Sequence, residues 1–165
     1  MWILVASAFR PSEGPDHDDL GTELEVALRD RGHEVDSIRI PFDRDPSALL
    51  SQLFALRMTN VRDVGELLVA TGTPCHLLRH WRKVLWLTEH YPWLDDESPE
   101  FRSLMTADRT ALSEARAAFA ASEHLCERLA RSSGSGVELL PPPPGGSWDR
   151  VVAELTMSDH GPVYR

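Results

Sequence analysis

The chain has 165 residues, 42% hydrophobic and 26% charged, the balance of one globular domain with a sizeable core. Seventeen Lys and Arg stand against 26 Asp and Glu, a net charge of −9 with histidines neutral, which argues against nucleic acid or an anionic membrane surface as the main partner. No apolar stretch approaches the roughly 20 residues of a membrane span, and the N-terminal run Met1–Ala6 lacks the basic lead of a signal peptide, so a cytoplasmic protein without a transmembrane segment is expected, with Cys75 and Cys126 as free thiols.

In chain order, Trp2–Ala8 is apolar apart from Ser7, which suits a strand buried on both faces. Arg10–Asp19 is a polar loop. Leu20, Leu24, Ala27 and Leu28 recur at helical spacing, and Arg29, Arg31 and Gly32 supply a basic last turn and a glycine stop. Val35, Ile38 and Ile40 mark a second strand ended by Pro41. Asp45 and Pro46 read as N-cap and first residue of a helix whose inner stripe is Leu49, Leu50, Leu53 and Leu56.

Leu67–Thr71 is a third strand, broken by Gly72-Thr73-Pro74. A short basic helical stretch follows, with Arg79, Arg82 and Lys83 as a local basic patch beside His76 and His80. Val84–Thr88 is the fourth strand, ending in Glu89-His90. Ser98-Pro99-Glu100 opens a helix with Leu104, Ala107, Ala111, Leu112 and Ala115 inward. Ala118–Ala121 is a fifth strand, and Ser122 caps a helix through Leu129 that closes near Gly134–Gly136. Val137–Leu140 is the sixth strand, and Pro141–Pro144 a stiff polyproline segment leading out of the domain. Two regions follow: a domain over 1–146, and a tail over 147–165 in which Val151, Val152 and Leu155 form a short docked helix with a loose end.

The alternation of strands and helices predicts an α/β fold: a Rossmann-like, doubly wound parallel sheet of about six strands with helices on both faces. In such sheets ligands bind in the crevice outside the carboxyl ends of the strands. That directs attention to Thr71-Gly72-Thr73, which either faces a ligand or is only a strand-to-helix turn. His76 and His80 have the i, i+4 spacing of zinc ligands. With no HExxH motif and no third ligand in the sequence, they read better as surface histidines. His17-Asp18-Asp19 reads as a solvated charge cluster at a helix start.

The segments LEVALRDRGHEV (Leu24–Val35), LLVATGTPCHLLRHWRKVLWLTEH (Leu67–His90), DRTALSEARAAFAASEHLCERL (Asp108–Leu129) and VELLPPPP (Val137–Pro144) resemble, in order, the N-terminal domain of glycosyltransferase family 4. Those enzymes have two facing Rossmann-like domains, the GT-B architecture, and the resemblance implies the acceptor-side half of that fold.

On this resemblance Glu89 and His90 are the candidates for acceptor chemistry, since a transferase needs a base near the acceptor hydroxyl. The acceptor cleft would be formed by Gly14, Asp16, His17, Thr71, Gly72, Thr73, Trp93, Ser122 and Glu123. Trp93 could stack on a sugar, and Ser122 could equally be only a helix cap. Where the family has a glycine pair near the donor phosphates, this chain has Pro15-Asp16, which lacks an N–H and adds negative charge.

The donor-binding domain has no counterpart in the sequence. A nucleotide-sugar donor is therefore implied for the complete enzyme, with no cofactor and no metal bound by this chain alone. The expected partners are a donor-binding glycosyltransferase domain or subunit and a small-molecule or glycan acceptor. The alternatives are a non-catalytic binding or helper module that kept the fold, and a fragment of a longer enzyme. A transferase half predicts an exposed apolar face near the cleft, and a helper module a polar cleft.

Overall fold

The computed structural model describes residues 1–12, 19–91, 99–133 and 136–157. Six strands form one all-parallel sheet: β1 (Trp2–Phe9), β2 (Glu34–Pro41), β3 (Leu67–Thr71), β4 (Lys83–Leu87), β5 (Ala117–Ala120) and β6 (Glu138–Leu139), in the order β2-β1-β3-β4-β5-β6. The helices are α1 (Asp19–Arg29), α2 (Pro46–Met58), α3 (Pro99–Ser113), α4 (Glu123–Ser133) and α5 (Trp148–Met157). The chain is thus the expected Rossmann-like α/β domain. Its strand order reverses once, between β1 and β3, so the crevice of a doubly wound sheet opens there.

Alternation along each strand builds two cores. Leu4, Ala6, Leu68, Ala70, Leu85 and Leu87 face α2, α3 and α4. Ile3, Val5, Leu67, Val69, Val84, Trp86 and Phe119 face α1 and α5. All five residues of β3, and all five of β4, are buried, which is why these strands read as unbroken apolar runs.

The local signals act as their chemistry requires. Asp45 accepts a hydrogen bond from Ser47 N at 2.9 Å as the cap of α2. Ser122 accepts one from Leu125 N at the start of α4. Gly32, at φ +81°, ends the turn after α1, with its N–H on Arg29 O.

Four expectations are corrected. Leu50 is not on the inner stripe of α2: it lies one residue, about 100° of helix, from Leu49 and is 52% exposed. The basic helical stretch is only a 3₁₀ turn, Cys75–Leu77. Four consecutive buried side chains, Cys75, His76, Leu77 and Leu78, cannot share one face of a helix. The basic patch is not a surface patch, because Lys83 is fully buried. Pro141–Pro144 does not lead outward: Gly146 N donates to Pro142 O, and the chain turns back into α5. There Trp148 packs edge-on against Trp86, whose Nε1 donates to Leu140 O at 2.8 Å. Val151, Val152 and Leu155 complete the α1 side of the core, as a docked helix would.

Lys83 earns its place by joining elements. Its Nζ donates to His76 O at 2.9 Å and Leu78 O at 3.2 Å, closing the turn between β3 and β4. Glu114, which also grips Arg57, stands 3.5 Å away. Burial pushes the ammonium down to about 8, against the opposing pull of Glu114. A depressed base costs stability while it is protonated in the fold, and the cost is relieved as pH rises from about 8 towards its ordinary 10.5. The unfolding free energy of the wild type, measured against Lys83→Met in urea, should therefore rise across that window by on the order of 2–3 kcal/mol. A flat difference would show that the lysine is not desolvated.

Candidate functional site

At the reversal between β1 and β3, the carboxyl ends of three strands frame a cleft of about 130 Å³. Its walls are Ala8 from the end of β1, Leu20 from α1, Thr71-Gly72-Thr73 after β3, and Thr88-Glu89 after β4. Apolar strands make the floor. At the ends of β3 and β4 the chain turns polar as it leaves the sheet, and that puts hydroxyls and a carboxylate at the rim.

Each wall is held by a specific contact. Thr71 Oγ1 donates to Ala6 O at 3.2 Å, and Gly72 N–H to Trp86 O at 3.2 Å, which extends the ladder one residue past β3. Gly72 has φ +74°, and a Cβ there would stand 3.2 Å from Thr88 Oγ1. The conformation favours glycine, and a Cβ would also press Thr88 to give by a few tenths of an ångström. Thr73 Oγ1 donates to Glu89 O at 3.4 Å, tying the two loops together.

Arg44 Nη2 lies 2.9 and 2.8 Å from the two Glu89 oxygens and so fixes the carboxylate. Arg44 also lines a second cleft of about 450 Å³ with Arg10, Pro11, Ser12, Phe42 and Asp43, over the ends of β1 and β2. The Arg44–Glu89 pair links a wall of one cleft to a wall of the other. A third groove, of about 420 Å³, runs between α1 and α5 past Val26, Arg31 and Trp148, and holds none of the site residues expected from the sequence.

Of the expected site residues, Thr71, Gly72, Thr73 and Glu89 come together in the first cleft. Ser122 and Glu123, in the first turn of α4, do not line it. Gly14, Asp16, His17 and Trp93 lie outside the described residues. His90 is turned inward: it is 3% exposed, and its Nε2 lies 2.6 Å from Asp108 Oδ2.

His76 is also buried, contrary to the surface position expected of it, with Nε2 2.6 Å from the other Asp108 oxygen. His80 is buried too, with its Nδ1 2.7 Å from Arg82 O and 3.0 Å from Arg82 N. Among the described residues no cluster of three or more His, Cys, Asp or Glu is arranged to hold a metal ion.

The His76–Asp108–His90 cluster is a carboxylate between two imidazoles, with Tyr91 edge-on to both rings. An ionised carboxylate only accepts, so each Nε2 carries the proton. His76 follows β3, His90 follows β4, and Asp108 belongs to α3. One carboxylate thus clamps both loops that carry the cleft.

Burial pushes the Asp108 carboxyl up, but the charges and hydrogen bonds of His76 and His90 prevail and bring it down to about 2. The sequence hint was a lone carboxylate on the apolar stripe of α3, between Leu104 and Ala111. Arg44 carried no such hint, since its partner is 45 residues away.

Asp108→Asn sets an amide N–H₂ against one imidazole N–H in a dry site, and should cost about 2–4 kcal/mol by urea unfolding at neutral pH. The wild-type advantage from Asp108 should hold above its ordinary value of 3.8 and vanish as pH falls through about 2. Equal stability of the two proteins at neutral pH would remove the clamp. Gly72→Ala should cost about 1–2 kcal/mol through its left-handed backbone, whereas an unchanged thermal midpoint would contradict the φ at that position. In comparison with known proteins, no protein-family model matches the chain, and no curated protein matches it either.

Proposed function

We propose that this chain binds a hydroxylated small molecule in the cleft over β1, β3 and β4 and presents it for sugar transfer, as the acceptor-side half of a GT-B-type transferase. A partner subunit or a further domain would supply the nucleotide-sugar. The observation that carries this is the composition of the cleft. Three threonines, a glycine and one carboxylate line a space at the point where doubly wound sheets bind their ligands. Thr71 and Thr73, whose O–H groups are given to Ala6 O and Glu89 O, can still accept, Thr88 can donate as well, and the carboxylate accepts, which complements the hydroxyls of a sugar or polyol.

About 130 Å³ is smaller than the roughly 300–1,000 Å³ of pockets that engulf drug-sized ligands. It suits a single ring or a hydroxylated end group. Glu89, held by Arg44, would accept the proton of the acceptor hydroxyl as its oxygen bonds to the anomeric carbon and the bond to the nucleotide phosphate breaks. His90 would act only through the clamp, because its Nε2 is committed to Asp108. A carboxylate in the wall, in place of a cradle of N–H groups, suits a donor held elsewhere.

A second reading, a binding module without catalysis, is favoured by one observation. The large exposed apolar side chains among the described residues, such as Phe54 and Trp81, all lie off the cleft. A facing domain would therefore find no apolar collar around it.

Amide chemical shifts should be followed while monosaccharides, inositols and simple glycosides are titrated. Saturable shifts are expected at Thr71–Thr73 and Thr88–Glu89 for some of them, and none for a nucleotide-sugar alone. Glu89→Gln should weaken that binding about tenfold, the worth of one charge-assisted hydrogen bond, with little change in thermal midpoint. No binding by any hydroxylated compound would overturn the proposal. Transfer from a nucleotide-sugar on adding a donor-binding partner would separate the transferase half from the binding module.

A further inference from the structure

α2 is apolar on both sides, and the fold covers only one. Leu49, Leu53 and Leu56 face the sheet. Leu50, Phe54 and Met58, spaced i, i+4 and i+8, face outward and are 52%, 69% and 62% exposed. The other outward residues are Ser47, Ser51 and Ala55, so this exposed face carries no charge in a chain that is 26% charged. The single charged residue of the helix, Arg57, leaves the stripe for Glu114. A solvated helix face ordinarily carries the charges.

We infer that the outer face of α2 is the contact between two copies of this chain, packed antiparallel about a two-fold axis at Phe54. The ends of the stripe carry opposite charge. Exposed Asp43 and Asp45 with Glu89, against Arg44 and the Arg10 that lines the same cleft, leave the N-terminal end with an acidic excess of one among the described residues. Arg57, Arg62 and Arg79, against Asp63 and Glu114, give the other end a basic excess; Arg79 is brought there by its bridge to Asn60.

A stripe with an acidic head, an uncharged middle and a basic foot complements its own copy turned end for end. In that arrangement Leu50 of one copy meets Met58 of the other, Phe54 meets Phe54, and the helix dipoles oppose. A domain facing the cleft would cover the carboxyl edge of the sheet. The stripe instead runs about 12 Å down the sheet's face, away from that edge.

Sedimentation equilibrium over a concentration series tests this. The wild type should show a monomer–dimer equilibrium, and Phe54→Glu should raise its dissociation constant by about tenfold or more, with the same circular dichroism and thermal midpoint. Oxidised Phe54→Cys should form a disulfide-linked dimer, while Arg131→Cys, exposed on α4, should not. A wild type that stays monomeric, a dimer indifferent to Phe54→Glu, or equal cross-linking at both cysteines would overturn the inference. So would capture of a different protein by α2 in place of a second copy.

Discussion

The central strands of the sheet are buried on both faces, and the remaining features answer to that constraint. A parallel ladder covered by helices on each side has no wet face at its centre, so its central strands carry apolar side chains at nearly every position. β3 and β4 are the extreme case, with all ten of their positions buried, one of them a lysine. Polar groups are driven to the places where the chain leaves the sheet. The two loops at the carboxyl ends of these strands therefore collect Thr71, Thr73, Thr88 and Glu89 beside one another. The chemistry of the cleft is a by-product of solving the burial problem, and the reversal of strand order between β1 and β3 opens room for it.

The same constraint explains two of the buried charges, Lys83 and Asp108. The connection from β3 to β4 is too tightly packed to form a helix of its own, so its carbonyls need donors from elsewhere. Lys83 supplies them from inside the sheet and holds the turn that contains His76. Asp108 then reaches in from α3 and takes an N–H from His76 and one from His90. An isolated carboxylate at this depth would be costly, but one with two imidazole donors is a tie between three elements. The loops of the cleft are thus fixed from behind by buried polar contacts and from the front by the Arg44–Glu89 pair.

α2 shows what remains when a helix serves a sheet and something beyond it. Its apolar residues surround the axis, so periodicity alone assigned Leu50 to the core with Leu49. Only one side can touch the sheet, and Leu50, Phe54 and Met58 are left outside. An apolar face of this kind on a globular domain points to contact with another protein surface.

The sequence by itself determined the class of fold, the order of strands and helices, and the caps and stops that bound them. Those features depend on short-range chemistry: an aspartate before a proline, a glycine in the left-handed region, an unbroken apolar run. It also made the cleft residues after β3 and β4 legible, because a polar word following a buried strand marks the carboxyl edge. Tertiary structure alone decided which charges would meet. His76 looked like a surface residue and His90 like an acceptor-site base, yet both turn inward on a carboxylate 32 and 18 residues away. Arg44 finds Glu89 across 45 residues. Pairing at such distances depends on how the helices lie across the sheet, and no local pattern of residues encodes it.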